Sequence, residues 1–130
     1  MHIRNGRVYR EDKSFAEGEI YIKDGLFAEH QAVCGDQEES VDGEGCYAIP
    51  GLIDIHFHGC AGYDLCDGTH KAISAMARYQ AESGVCAICP ATMTLPEERL
   101  AAIMEAAASY QTDRRDAALV GINLEGPFLA

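Results

Sequence analysis

No window of this sequence approaches the roughly 18 apolar residues that a membrane helix requires, and the opening MHIRNGRVYREDKS has no apolar core of a secretory signal. The expectation is a cytoplasmic protein. Basic residues are scarce as well: 10 Lys and Arg stand against 21 Asp and Glu, for a formal net charge of -11 and a pI near 4.7. Nucleic acid and anionic membranes are bound through clustered Lys and Arg, so neither is an expected partner. An anionic substrate would need its own local basic group. Internal repeats and low-complexity tracts are absent. What is present is 48% hydrophobic content in 130 residues, enough chain for the core of one ordinary domain.

Six cysteines (Cys34, Cys46, Cys60, Cys66, Cys86, Cys89) without a secretion signal read as reduced thiols rather than a disulfide framework. Cys86 and Cys89 form a CxxC. If VCAICP is a strand, the odd spacing sends the two thiols to opposite faces, which favours core thiols over a zinc or redox pair.

The first 45 residues carry short strand-like runs broken by turn dipeptides. Asn5-Gly6 and Asp24-Gly25 are both two-residue hairpin signals, and CGDQEESVDGEG (34–45) reads as an exposed loop or turn. From Cys46 the pattern changes to strand, helix, strand, helix, strand. AIPGLIDIHFH is the first strand. A helix over about residues 70 to 83 is opened by Thr69 and stopped by Gly84, and GVCAICPAT is the second strand. Pro96, Glu97 and Glu98 open a further helix with Leu100, Ile103, Met104, Ala107 and Ala108 on one face, and ALVGINLEGPF is the third strand. Such alternation implies parallel strands covered by helices, either a doubly wound sheet or part of a (β/α)8 barrel. A closed barrel takes about 250 residues, so residues 50–130 would hold three of its eight strands.

Only five histidines occur, and two of them sit one residue apart in PGLIDIHFHG, residues 50 to 59. Alternation along a strand gives Ile53, Ile55 and Phe57 one face and Asp54, His56 and His58 the other. Ligands gather at the carboxyl ends of parallel strands. His56 and His58 lie at the end of the first strand, Thr92 and Thr94 just past the second, and Glu125 at the end of the third. In the third strand Ile122 and Leu124 would face the helices, and Asn123 and Glu125 the interior. Two imidazoles and a carboxylate suit zinc, iron or another first-row divalent ion. A hydrogen-bonded or exposed histidine pair and a solvated loop glutamate remain alternative readings. Asp54 reads as structural, and Asp64 and Asp67 as loop residues ahead of the helix rather than as catalytic groups.

Taken together, the motifs resemble a known family. PGLIDIHFHG after a small β-unit resembles the first barrel strand of the amidohydrolase superfamily, and GVCAICPATMT is similar to a second-strand segment ending P-T-x-x-T. GINLEGPFLA resembles the LEGPF segment of N-acetylglucosamine-6-phosphate deacetylases. The resemblance implies an α/β fold: the N-terminal part of a metal-dependent (β/α)8 barrel (residues 50–130, about three strands) preceded by a small antiparallel β-sandwich unit (residues 1–49). It implies hydrolysis of the N-acetyl group of N-acetylglucosamine 6-phosphate to acetate and glucosamine 6-phosphate, in amino-sugar metabolism. It makes Glu125 a principal metal ligand and His56 and His58 a further metal position, for one or two zinc or iron ions. It also implies a homodimer for the complete protein. Many relatives have His where this chain has Asn123, which implies altered hydrogen bonding around the ligands. The catalytic aspartate, the remaining metal histidines and the phosphate-binding groups are expected beyond Ala130, so the 130-residue chain alone is expected to be inactive. A dihydroorotase-like or deaminase-like amidohydrolase and a non-catalytic metal-binding or interaction fragment are the rival readings.

Overall fold

The structure, a computed structural model, describes residues 1–29 and 39–128. The chain divides into two compact units, Met1–Pro50 and Gly51–Ala130. No helix among the described residues is long and apolar enough to cross a membrane.

The first unit is a single five-stranded sheet built on β1 (His2–Tyr9), with β2 (Phe15–Lys23), β3 (Leu26–Phe27), β4 (Ser40–Asp42) and β5 (Tyr47–Ala48). Asp24 and Gly25 close the β2–β3 hairpin with φ of 54° and 78°, the positive pair that a tight two-residue turn demands. Asn5-Gly6 does not turn the chain. It lies inside β1, where Asn5 takes φ 58° at a register irregularity between Ile3 and Gly6, and its amide donates to the Asp42 carboxylate. A left-handed Asn therefore serves a bulge here rather than a hairpin. The expectation of an antiparallel unit is corrected as well. β1 pairs β2 antiparallel, but β4 and β5 both run parallel to β1 at successive positions along it. Part of the expected loop 34–45 is thus strand β4, and residues 34–38 lie outside the described residues.

The second unit holds a three-stranded parallel sheet of β6 (Leu52–Asp54), β9 (Val85–Ile88) and β10 (Ala118–Leu119), in the order β6-β9-β10. Between β6 and β9 come a small hairpin, β7 (Gly59–Cys60) and β8 (Tyr63–Asp64), a 3-10 turn over Leu65–Asp67, and α1 (His70–Glu82). Thr69 caps α1, its hydroxyl accepting the Ala72 N–H at 3.2 Å, and Gly84 follows the helix at φ 87°. Its buried side carries Ala72, Ile73, Met76 and Ala77. α2 (Glu97–Ser109) starts after Pro96 with two glutamates in its first turn and buries Leu100 and Ile103, while Met104 and Ala108 of the expected face are exposed. Leu65, Ile73, Met76 and Ile103 form one core cluster, and Ala77, Ile88 and Ala117 a second, with Phe57 packed against both.

Strand β6 ends at Asp54, short of the histidines, but its alignment with β9 continues. Cys89 N donates to Asp54 O at 2.8 Å and Ala91 N to Phe57 O at 2.7 Å. Three residues on one segment are thus matched by two on the other, a bulge-like offset. The offset overturns the simple alternation: Asp54 receives a hydrogen bond from Gln80 of α1, on the helix side, instead of sharing the histidine face. Ile53 and Ile55 are 60% and 68% exposed instead of forming a buried face, whereas Phe57 does pack into the core.

Candidate metal centre

Two backbone connections bring the site residues to one level. Asn123 forms a parallel bridge with Ala91, donating to Pro90 O and accepting from Thr92 N, while Ala91 bonds to Phe57 between the two histidines. His56–His58, Thr92 and Asn123–Glu125 are thereby laid side by side just past the carboxyl ends of the parallel strands. Ile122 packs against the core, and Asn123 and Glu125 point to the opposite side, following strand alternation.

Glu125 Oε1 lies 3.4 Å from His56 Nε2 and 3.6 Å from His58 Nε2. One ligand atom from each of the three residues can be chosen so that all lie within 4.8 Å of one another. The imidazole rings stand edge to face, 5.3 Å apart and 89° between planes. Separations of 3.4 and 3.6 Å exceed an ordinary N–H···O hydrogen bond. They are close to the edge of a tetrahedron whose centre is about 2.0–2.1 Å from each corner, roughly 3.3–3.4 Å. The donor set and its spacing fit a divalent ion held by two neutral imidazoles and a carboxylate.

Neighbouring groups fix the backbone of Glu125 and contact the His56 ring. Thr92 is fully buried, and its hydroxyl accepts the Glu125 N–H at 3.2 Å. Asn123 Nδ2 lies 3.0 Å from His56 Nδ1 and 3.4 Å from Ile55 O. His58 Nδ1 is buried without a hydrogen-bond partner. Gly59, directly after His58, passes so close to Tyr63 that an added Cβ would overlap the Tyr63 carbonyl oxygen. The roles of Thr92 and Gly59 in fixing the site follow from contacts between distant segments, which residue type alone does not announce.

The other acidic candidates are engaged elsewhere. Asp54 accepts the His56 N–H at 3.1 Å and the Gln80 amide at 3.1 Å. Asp64 and Asp67 form a reciprocal capping box around the 3-10 turn, accepting Cys66 N at 2.7 Å and Asp64 N at 3.0 Å. Among the described residues, Cys46, Cys60, Cys66, Cys86 and Cys89 are free thiols, and Cys34 lies outside them. Cys86 is exposed rather than a core thiol. Burial, then the charge of Asp54, pushes the Cys60 thiol above its ordinary pKa. Burial likewise raises Cys66, against the lowering effect of the Met93 N–H that it accepts.

No family model matches the chain. An N-acetylglucosamine-6-phosphate deacetylase of Vibrio furnissii is 41% identical over 81 residues, covering 62% of this chain and 20% of that protein. An N-acetylgalactosamine-6-phosphate deacetylase of Escherichia coli O157:H7 is 30% identical over 127 residues, covering 97% of this chain and 33% of that protein. Among solved structures, N-acetylglucosamine-6-phosphate deacetylase from Pasteurella multocida superposes with a TM-score of 0.83 over 99% of this chain and 35% of its own, at 21% identity, a likeness of fold. The chain spans between a fifth and about a third of the length of the curated relatives it matches. In sequence and in fold, then, this chain is similar to a part of the N-acetylglucosamine-6-phosphate deacetylases.

Proposed function

We propose that the chain is the metal-holding N-terminal portion of an N-acetylglucosamine-6-phosphate deacetylase, with residues 1–49 as part of a β-sandwich and residues 50–130 as the first strands of a (β/α)8 barrel. His56, His58 and Glu125 are the proposed ligands of zinc or iron. The observation that carries the reading is their convergence past the carboxyl ends of three parallel strands, at separations that match a metal's coordination edges. A divalent ion held there would lower the pKa of bound water towards neutrality and polarise a carbonyl oxygen, both of which favour amide hydrolysis.

The chain's own contribution is to hold and orient. Thr92 fixes the backbone of Glu125, and Asn123 contacts the His56 ring. Asp54, Asp64 and Asp67 are engaged in hydrogen bonds, so the reading assigns proton transfer, and likewise the phosphate contacts, to the remainder of a protein of the relatives' length. A cytoplasmic homodimer belongs to the same proposal.

The test is to extend the reading frame beyond the codon for Ala130, purify the whole product with zinc or iron, and follow acetate release from N-acetylglucosamine 6-phosphate and its galactosamine epimer. Release from the glucosamine compound, abolished by Glu125→Ala, is the expected result. Absence of acetate from both sugars in a folded, metal-loaded protein contradicts the reading. Robust turnover by the 130-residue chain alone contradicts the division of labour.

A further inference from the structure

His58 leads into the β7–β8 hairpin, whereas Thr92 and Met93 follow β9, and the 3-10 turn over Leu65–Asp67 bonds to both segments. Leu65 N–H donates to His58 O at 3.1 Å, and Met93 N–H donates to Cys66 Sγ at 3.3 Å. Both donors are backbone amides, so the direction of each bond is fixed. Thr92, next to Met93, in turn accepts the Glu125 N–H and donates to Asn123 O. The turn itself is firmly held. Leu65 is fully buried with Ile73, Met76 and Ile103, Asp64 and Asp67 close a capping box around the turn, and Arg99 of α2 donates to Cys66 O at 3.2 Å. A run of hydrogen bonds thus joins the histidine arm of the site to its carboxylate arm through one short turn anchored in the core. Sulfur is a weak acceptor, and Cys66 is the link in that run that a side-chain change can open without touching His58, Thr92 or Glu125.

We infer that this turn is a strut that sets the distance between the histidine arm and the carboxylate arm of the site, and that Cys66 is its positioning residue. The backbone bond from Leu65 fixes the turn to His58. The Cys66 side chain fixes it to the segment that holds Glu125. Opening the second link leaves His56 and His58 in place and lets the carboxylate drift away from them. The effect on ion affinity rests on the proposed metal reading, whereas the link itself stands on the hydrogen-bond geometry alone.

The experiment is zinc titration of the full 130-residue chain as wild type, Cys66→Ala, Glu125→Gln and the double variant. Cys66→Ala is expected to weaken zinc binding about fivefold, the change that one hydrogen bond of ordinary strength supports. It should have no further effect once Glu125 is replaced, because the arm that it positions then carries no carboxylate. Cys66→Ser, which restores an acceptor, is expected to recover affinity. Equal losses with and without Glu125 mark a general loss of structure and overturn the inference, as does unchanged affinity in Cys66→Ala. Amide hydrogen exchange followed by NMR needs no ion. The Met93 N–H is expected to be protected in the wild type and to exchange about tenfold faster in Cys66→Ala, while Ala91, bonded to Phe57 O, is unaffected. A wild-type Met93 amide that exchanges as fast as in a free peptide overturns the strut. If Cys66→Ala does not fold, that wild-type rate decides. If the wild type takes no zinc, the metal reading fails while the exchange rates still decide the link.

Discussion

Thr92 accepts the Glu125 backbone N–H through its hydroxyl at 3.2 Å, from a position with no exposed surface. Its own N–H donates to Asn123 O at 3.0 Å, so a single residue pins both ends of the segment that carries the carboxylate. Thr92→Val keeps the shape and removes the acceptor, leaving the Glu125 N–H without its partner. A loss of roughly 1–3 kcal/mol in unfolding free energy is expected, with weaker zinc binding, and Thr92→Ser should recover both. Equal stability and affinity in the valine and serine variants would show that the hydroxyl contributes nothing.

Gly59 tests how tightly His58 is placed. A methyl group there overlaps the Tyr63 carbonyl, so Gly59→Ala must open the hairpin that follows His58. Zinc affinity is expected to fall more than tenfold in a chain whose far-ultraviolet dichroism stays close to wild type. Unchanged affinity would mean that the hairpin does not set the histidine.

Arg78 of α1 pairs with Asp116, whose side chain has no exposed surface, and reaches Asp113 at 3.8 Å. Arg78→Ala leaves a buried carboxylate without its cation. Because Arg78 is itself exposed to solvent, the expected loss of stability is smaller than for a fully buried pair. The double variant with Asp116→Asn should recover part of it. Denaturant unfolding of the four proteins measures this coupling.

Asp113 gives a pH signature. Hydrogen bonds from the Arg115 backbone and then its side chain hold the Asp113 carboxyl below its ordinary 3.8. Its contribution to folding is therefore present above 3.8 and is lost as the pH falls through the lower folded value. Wild type and Asp113→Asn should differ in melting temperature near neutrality and converge in acid. A difference independent of pH would contradict this.

Thiol labelling follows burial. Cys46 and Cys86 are exposed, whereas burial raises the pKa of Cys60 and Cys66. Alkylation mapped by mass spectrometry should mark the first pair well before the second, since the thiolate is the reacting form.

Much of the second unit was legible because its signals are local. Thr69, Gly84, Pro96 and the spacing of Leu100 and Ile103 sit within one or two turns of the ends and faces that they specify. The convergence of His56, His58 and Glu125 was legible for a similar reason, since strand order followed chain order. What escaped was set by partners far along the chain. The offset that turns Asp54 towards Gln80 depends on how residues 54–57 align with 89–91. The parallel pairing of β4 and β5 depends on segments about 40 residues from β1, and Asn5-Gly6 has the same composition whether it turns a hairpin or bulges a strand. Ile53, Ile55 and Phe128 are apolar residues that stand exposed among the described residues.

The most direct measurement is zinc binding by the purified chain, titrated calorimetrically for the wild type and for His56→Ala, His58→Ala and Glu125→Gln. Binding by the wild type, weakened at least tenfold by each substitution, is the expected result. Zinc affinity that survives all three substitutions, or a wild type that takes no zinc, would contradict the assignment of these residues as a metal centre.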